Sequence, residues 1–379
     1  TNTSTVGKGI AVSGTGVLNL ADAFNASALG NIAQSGGGAV NLIGTMTLDQ
    51  ASTNLSTAGL TALTIDGGTV AGGGNTLTSN GSLALTATGY GTLSNVTLAT
   101  DLAVTGVTYL TNGLTLAANA TTSNPATVTI NNATLHYTGT QTLGGTGNVV
   151  FSGASNSWFY RNGAAATLTV GPNVTVSGSG TGSAIFGYNA DEAINFQGVL
   201  NANVAGKTWY LGGFANTGNI NVSAGTVRMD TYSGTGAWTN TSTVGKGIAV
   251  SGTGVLDLSD SFTTTGIGRI TRTGGTINIS GTLDNTGQTL DIGAGGPFGA
   301  GGLNSLTGRI TNGTIISGDG TLLNSPSGSL DGVTIGSNFG FAAGGYAKIY
   351  KSLLLTNGIT VNKGNTEWYF SSAGTQNLD

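Results

Sequence analysis

The stretch TNTSTVGKGIAVSGTGVL occupies residues 1–18 and recurs without a single change at residues 239–256. An exact copy of this length places the chain in a tandem array with a period of 238 residues, so that residues 1–238 form a first unit and residues 239–379 a second, shorter one. A repeat unit buries a face against its neighbour and does not act as an independent globule. We therefore expect one continuous repetitive fold, cut from a longer array.

Beyond residue 256 the two copies diverge, but their apolar positions keep their class. The segments that we align are GGAVNLIGTM (37–46) with GGTINISGTL (274–283), LTNGLTL (110–116) with LTNGITV (355–361), and GTQTL (139–143) with GTQNL (374–378). This alignment predicts that the second copy follows the first to its last residues.

The composition excludes several classes of protein. The chain has 68 Gly, no Cys and only 7% charged residues, whereas a soluble domain carries about a quarter. Since 38% of the residues are apolar and the mean hydropathy is +0.15, disorder is not expected. No apolar run is long enough to span a membrane as a helix. Eleven scattered basic residues and a net charge of −4 argue against nucleic acid as a partner.

Short segments that alternate apolar and polar residues recur along the chain, and Gly, Asn and Ser are frequent between them. Examples are Leu63–Ile65, Leu83–Leu85, Val96–Leu98, Val128–Ile130, Leu168–Val170, Val174–Val176, Ile194–Phe196 and Ile220–Val222. A period of two indicates β-strands, and Gly and Asn supply the positive φ that turns require. Leu20–Ile32 contains several alanines, but its counterpart Leu258–Ile270 has a poor helical sequence, so we predict no helix in either.

Strands this short favour a solenoid over a sandwich. The aromatic pairs suggest a coil length, because Trp158 follows His136 by 22 residues and Trp209 follows Trp158 by about two such steps. Coils of about 20–25 residues are typical of parallel β-helices, in which each strand stacks on the one below at about 4.8 Å. We predict an all-β parallel β-helix of about 17 coils.

Cassettes of strand and turn carry a family resemblance. Leu93–Leu98, Leu110–Leu116 and Gly308–Ile316 resemble the right-handed β-helical passenger regions of bacterial autotransporters and the filamentous haemagglutinin-like exoproteins. The resemblance implies a right-handed β-solenoid in a secreted or cell-surface protein, a structural or adhesive fibre or stalk. Its expected partners are other copies of itself, through lateral or end-to-end contacts, and surface glycans.

The sequence offers few residues for catalysis. Asp191-Glu192 is the only adjacent acidic pair, and we expect a solvated turn there. The most enzyme-like cluster, Asp257, Asp260, Arg269 and Arg272, corresponds to Asn19, Asp22, Asn31 and Gln34 in the first copy, so three of its four charges are absent there. His136 is the only histidine, and we align it with Trp368. We predict no catalytic, cofactor or metal site, with polysaccharide cleavage on the same coil as the alternative.

Two kinds of binding surface remain open. Tyr and Trp combine a flat apolar face with a polar tip, which suits sugar binding. The candidate aromatic residues, which contact glycans or stack on one another, are Trp158, Tyr160, Trp209, Tyr210, Trp368 and Tyr369. A second alternative is an ice-binding array of Thr-x-Thr segments, which begin at Thr45, Thr76, Thr86, Thr127 and Thr167 with irregular spacing.

Overall fold

A computed structural model describes residues 9–371 of the chain. It contains two compact units, Thr1–Tyr188 with Glu192–Leu200 and Asn189–Asp191 with Asn201–Asp379. Strands make up 55% of the structure and helix 3%, in a parallel β-solenoid of about 16 turns. The helical residues of the described part form three short 3-10 turns, Ala26–Ala28, Leu55–Ala58 and Thr265–Ile267. The prediction of a parallel β-helix is confirmed.

The described part of unit 1 contains 23 strands, and the last of them ends a few residues before the boundary of the unit. They are β1 (Ile10–Ser13), β2 (Val17–Leu20), β3 (Ala23–Asn25), β4 (Ile32–Ser35), β5 (Ala39–Leu42), β6 (Thr45–Thr47), β7 (Ser52–Asn54), β8 (Ala62–Asp66), β9 (Thr69–Ala71), β10 (Thr76–Thr78), β11 (Ala84–Thr88), β12 (Gly91–Ala99), β13 (Leu102–Val104), β14 (Val107–Leu116), β15 (Ala126–Asn131), β16 (Thr134–Thr138), β17 (Gln141–Gly145), β18 (Gly147–Ser152), β19 (Ser157–Arg161), β20 (Thr167–Val170), β21 (Val174–Gly178), β22 (Ala184–Phe186) and β23 (Ala193–Phe196).

These strands stack in parallel register on three faces. The first face contains β2, β5, β8, β11, β13, β15, β18 and β21. The second contains β3, β6, β9, the first part of β12 and of β14, then β16, β19 and β22. The third contains β7, β10, the second part of β12 and of β14, then β17, β20 and β23. From β5 onward, each coil therefore supplies one strand segment to each face. Before it, the 3-10 turn Ala26–Ala28 follows β3, and β1 and β4 pair with each other in a separate two-stranded sheet.

Unit 2 repeats this construction, and its first strand begins two residues before the boundary. The strands are β24 (Val199–Leu211), β25 (Phe214–Asn216), β26 (Asn219–Arg228), β27 (Thr239–Asn240), β28 (Gly247–Val250), β29 (Val255–Leu258), β30 (Ser261–Thr263), β31 (Ile270–Arg272), β32 (Thr276–Ile279), β33 (Thr282–Asp284), β34 (Thr289–Asp291), β35 (Ser305–Leu306), β36 (Arg309–Thr311), β37 (Thr314–Ile316), β38 (Gly328–Ile335), β39 (Phe339–Gly340), β40 (Tyr346–Leu355), β41 (Val361–Asn362) and β42 (Glu367–Phe370). Its second face contains β30, β33, β36, β38, β40 and β42.

Successive side chains of each strand point alternately toward the core and toward the solvent. In β9 and β12 of unit 1, Val70 pairs with Leu93, which pairs in turn with Leu110 of β14, and all three are at most 1% exposed. Their neighbours in sequence, such as Thr69 and Thr92, are half-buried on the outer surface. The core of each unit is thus a set of stacked apolar columns, as the period of two predicts.

The segments that the pattern marks as strands are confirmed, and Leu20–Ile32 contains only one 3-10 turn, Ala26–Ala28. The coils vary in length more than predicted. The coil from Thr92 to its partner Tyr109 is shorter than the predicted range, whereas the coil from Thr282 to its partner Arg309 is longer. Insertions at the corners change the length of a coil without disturbing the stacked strands.

This variation makes one part of the repeat alignment wrong. On the second face the paired residues of unit 1 run Ala23, Thr45, Thr69, Thr92, Tyr109 and His136. The same positions in unit 2 run Ser261, Thr282, Arg309, Ser329, Lys348 and Tyr369. Leu110–Leu116 therefore corresponds to residues 349–355 and not to 355–361. The counterpart of His136 is Tyr369 rather than Trp368, and residues 374–378 lie outside the described residues.

Thr-x-Thr segments are spread over all three faces. Thr45 lies on the second face, Thr76 and Thr167 on the third, and Thr86 and Thr127 on the first. They do not form one continuous hydroxyl array.

Candidate functional site: an outer aromatic ladder and a charged furrow

Unit 1 carries a row of aromatic rings on the outside of its second face. The row, which we call the aromatic ladder, consists of Tyr90, Tyr109, His136, Trp158, Tyr160 and Tyr188. Three of its members are placed by strand register, since Tyr109 pairs with His136 and His136 pairs with Tyr160. The predicted step from His136 to Trp158 is therefore wrong, because the partner of Trp158 is Thr134.

Alternation in β19 explains why Trp158 and Tyr160 lie outside together. Phe159 between them is fully buried, and its ring stacks on Phe186 at a centroid distance of 5.0 Å. Trp158 and Tyr160 are half-buried on the opposite side of the strand. Two of the six predicted aromatic candidates thus belong to one outer surface.

The rings of the aromatic ladder are stacked at one end and tilted at the other. Tyr109 and His136 are nearly parallel, with centroids 5.3 Å apart and planes at 20°. Tyr160 meets Tyr188 at 5.1 Å and 49°, and Trp158 meets Tyr188 at 5.6 Å and 72°. Tilted rings do not cover one another's faces completely, so apolar ring area remains accessible at the Trp158 end.

Burial changes the protonation of two ladder residues, His136, which is only 9% exposed, and the half-buried Tyr160. Burial lowers the pKa of His136, although the carbonyl oxygen of Tyr160, 3.3 Å from Nδ1, and the charge of Glu192 act in the other direction. Burial also raises the pKa of the Tyr160 hydroxyl. Both side chains are therefore neutral at pH 7, and the ladder presents rings without formal charge.

The other four aromatic candidates belong to unit 2. Trp209 is only 1% exposed, so it faces the interior rather than a surface that a glycan would reach. Its neighbour Tyr210 is half-buried on the outside, 4.8 Å from the ring of Tyr232. Trp368 is half-buried against Phe341 at 5.5 Å, and Tyr369 is 48% exposed.

Sequence reasoning missed Tyr90, Tyr109 and Tyr188 as members of the ladder. None of them has the adjacent aromatic residue that marks Trp158. They can be recognised only from the face of the strand on which each side chain lies, and that face is known only once the strand register is known.

The expectation of a solvated turn at Asp191-Glu192 holds for Asp191, which is exposed, and is wrong for Glu192, which is 6% exposed. Its Oε1 atom accepts hydrogen bonds from the Tyr137 hydroxyl at 2.5 Å and from the Arg161 backbone N–H at 2.9 Å. A buried carboxylate with such donors is stabilised in place. This arrangement ties three coils of unit 1 together.

The four charged residues singled out in the second copy do not form one cluster. Arg269 is exposed, and the Arg272 guanidinium donates to the carbonyl oxygens of Gly275 and Gly302, both at 2.7 Å. Asp257 and Asp260 lie on another side, next to Arg228 and Asp230, which the sequence had not indicated.

A groove runs along the second face of unit 2 beside these acids. We call it the furrow; its charged lining residues are Arg228, Asp230, Asp260, Arg309 and Lys348, and its volume is about 540 Å³. Most of its other lining residues are Ser, Thr and Gly, with the ring of Tyr350. The volume falls in the range of pockets for small ligands.

Two carboxyl groups lie together at one end of the furrow. The Asp260 Oδ2 atom accepts hydrogen bonds from the Thr231 backbone N–H at 2.7 Å and from its hydroxyl at 2.9 Å. Burial raises the pKa of Asp230 to about 6, against the influence of Arg228, and the charges of Asp260 and Asp257 and a hydrogen bond with Asp260 add to the rise. Asp230 is consequently protonated in part near neutral pH.

Within residues 9–371, no group of three or more His, Asp or Glu side chains is arranged to hold a metal ion. In the same range, no helix has the length and apolar character needed to cross a membrane. No protein-family model matches the sequence, and comparisons with curated proteins and with solved structures give no match.

Proposed function

We propose that this chain is part of a structural and adhesive protein of the cell surface, and that the aromatic ladder of unit 1 binds glycans. The observation that carries the proposal is the row of rings on one outer face, where successive coils bring Tyr109, His136 and Tyr160 into register. Tyr109 and Tyr160 are half-buried and remain accessible, whereas His136 is 9% exposed and packs between them. The accessible rings, separated by multiples of the coil repeat of about 4.8 Å, can contact the sugars of an extended chain.

Carbohydrate is favoured over a protein partner by the surroundings of the ladder. The outer neighbours are uncharged Thr and Asn residues, such as Thr134 and Asn162, rather than the large apolar patch that marks a protein interface. Hydroxyl and amide groups beside half-exposed rings supply both kinds of contact that a sugar needs. The proposed location is extracellular, to which the absence of Cys sets no obstacle.

Polysaccharide cleavage is the less favoured alternative. The glycosidase mechanism requires two carboxyl groups about 5–5.5 Å apart for retention or about 6.5–9.5 Å apart for inversion. Asp230 and Asp260 are hydrogen-bonded to each other, which is too close for either arrangement. This pair therefore lacks the geometry of a glycosidase, which favours binding over turnover in our proposal.

The direct test is binding of the full chain to an array of neutral and acidic oligosaccharides. We expect specific glycan binding that the double change Trp158→Ala with Tyr188→Ala weakens by about tenfold or more, since stacking and area burial by two rings are lost. Phe370→Ala is the matched control, because Phe370 is 49% exposed but lies outside the ladder. Absence of binding to any glycan, or equal loss in the control, would refute the proposal.

A further inference from the structure

Charge is concentrated in the furrow of unit 2 far beyond its frequency in the chain. Charged residues make up 7% of the sequence, yet five of the sixteen residues that line the furrow are charged. This concentration indicates a site that recognises a charged ligand.

The acids of the furrow and two of its three cations lie at opposite ends, while the third cation, Arg228, pairs with Asp230 and Asp257 at the acidic end. Register places Ser261, Thr282, Arg309, Ser329 and Lys348 on successive coils of the second face. Asp260 precedes Ser261 at the first coil, whereas Lys348 lies on the fifth, about 19 Å away at about 4.8 Å per coil. An extended ligand in the furrow would therefore meet Asp260 and the ion-paired Arg228 and Asp230 at one end, Arg309 and Lys348 toward the other, and hydroxyl groups between them.

Arg309 is held in position for such a ligand. Its guanidinium lies 4.5 Å from the centre of the Tyr350 ring, and its Nη1 atom is 3.3 Å from Asp331 Oδ2. The side chain nevertheless remains 40% exposed. Because a guanidinium has five N–H donors in a fixed fork, donors remain for an anion after the contact with Asp331.

The first copy of the repeat lacks both cations on the corresponding column. Its residues at the positions of Ser261, Thr282, Arg309, Ser329 and Lys348 are Ala23, Thr45, Thr69, Thr92 and Tyr109. The shared coil tolerates uncharged residues there. The strands of unit 1 therefore stack without these cations.

We propose that the furrow binds an oligosaccharide that carries a single anionic sugar at one end. The anionic group contacts Arg309 and Lys348, and the neutral sugars lie along the Ser and Thr residues. At the far end, Asp230 and Asp260 accept hydrogen bonds from sugar hydroxyl groups. A saccharide with an anion on every residue is disfavoured, because its distal groups would face these acids.

This site is separate from the aromatic ladder, so either proposal can fail alone. The test is calorimetric titration of the full chain with four probes: a neutral oligosaccharide, the same chain with one terminal glucuronate, the same chain with one terminal sulfate, and an oligomer of glucuronate only. We expect one of the two singly anionic probes to bind about tenfold or more tightly than the neutral one. The tighter of the two identifies the anionic group as carboxylate or sulfate.

Arg309→Thr and Lys348→Tyr introduce the residues that the first copy carries, and each should abolish the preference for the anionic probe. Lys351→Ala is the matched control, since Lys351 also contacts Asp331, at 3.2 Å, but does not line the furrow. An unfolding midpoint close to that of the unaltered chain shows that each variant is folded. Equal binding of the neutral probe, tightest binding of the all-glucuronate oligomer, or an equal effect of Lys351→Ala would overturn the proposal.

Discussion

At the residue scale, close packing between coils depends on individual glycines. Asp260 has φ +53°, and its carbonyl oxygen accepts a hydrogen bond from the Thr282 N–H at 2.7 Å. The same turn occurs in the first copy, where Asp22 has φ +58° and bonds Thr45 at 2.7 Å. In unit 2 the residue that passes this carbonyl is Gly281, whose added Cβ would lie 2.2 Å from it. Only a residue without a side chain fits there.

Gly281→Ala should therefore destabilise unit 2 by about 1–3 kcal/mol or more, because backbone must move to relieve the contact. Gly171→Ala is the control: its Cβ would meet nothing closer than 3.4 Å, so its effect should be small. Urea unfolding followed by circular dichroism measures both. Equal midpoints for the two variants would show that the coils adjust without cost.

His136 should make stability depend on pH. Its pKa is lowered in the folded state, because burial disfavours the charged ring. The stabilising contribution of the neutral ring is complete above its unfolded pKa of about 6.5 and is lost as the pH falls through the folded value. We therefore expect the unaltered chain to lose stability relative to His136→Phe as the pH falls below about 6.5. The measured quantity is the unfolding free energy of the unaltered chain minus that of the variant.

Comparison with the His136→Phe variant is necessary because Asp230 also titrates near pH 6. Its raised pKa has the opposite consequence, a contribution to stability that is present at low pH and lost as the pH rises through about 6. Subtracting one protein's profile from the other removes this contribution. A difference that stays constant between pH 5 and 7 would contradict the assignment to His136.

The sequence alone predicts less at this scale than at any other. It marks Trp158-Phe159-Tyr160 as aromatic, but the parity of the strand decides which rings lie outside. Trp209 and Tyr210 show the consequence, since the tryptophan is buried and the tyrosine is half-exposed. A shift of one residue would exchange them.

At the scale of the element, each strand is stabilised by the strands above and below it. Leu330 of β38 is fully buried and pairs with Ile310 of β36 and Ile349 of β40. Leu330→Ala should cost about 2–5 kcal/mol, as expected for a large cavity in a packed core. Leu354→Ala in β40 should cost little, because Leu354 is 41% exposed.

Hydrogen exchange of the backbone amides checks this prediction, because coils of a solenoid interact mainly with their neighbours. Leu330→Ala should speed exchange in β36, β38 and β40 more than in β29 or β32. Uniform acceleration across unit 2, or a similar effect of Leu354→Ala, would mean that stability is not set by this column.

The positions of the strands could be predicted from the sequence, but the register in which strands of successive coils pair could not. Alternation in segments such as Val128–Ile130 and Ile220–Val222 was sufficient to place β15 and β26. The register across coils depends on the lengths of the corners, which differ from one coil to the next and leave no periodic signal in the sequence. The motif LTNG occurs at 110–113 and at 355–358, which suggested that these two segments are equivalent. In the stacks of paired strands, however, Leu110 occupies the position of Ile349.

At the scale of the whole molecule, one scaffold carries two different surfaces. The second-face column bears aromatic residues in unit 1, such as Tyr109, and cations in unit 2, such as Lys348. The repeat in the sequence predicted the common scaffold. It did not predict the furrow, because Arg228 and Asp230 precede the second copy and Lys348 lies far beyond them in the chain.

The central claim is that the aromatic ladder of unit 1 binds extended glycans, and the most direct measurement is affinity as a function of glycan length. Four steps of about 4.8 Å separate Tyr90 from Tyr188 along the coils, so the ladder is about 19 Å long. Calorimetry with a homologous series of neutral oligosaccharides, from disaccharides upward, should show affinity rising until the ligand reaches that length and then levelling off. Trp158→Ala should lower the plateau. Affinity that does not change with length, or that Trp158→Ala leaves intact, would contradict the claim.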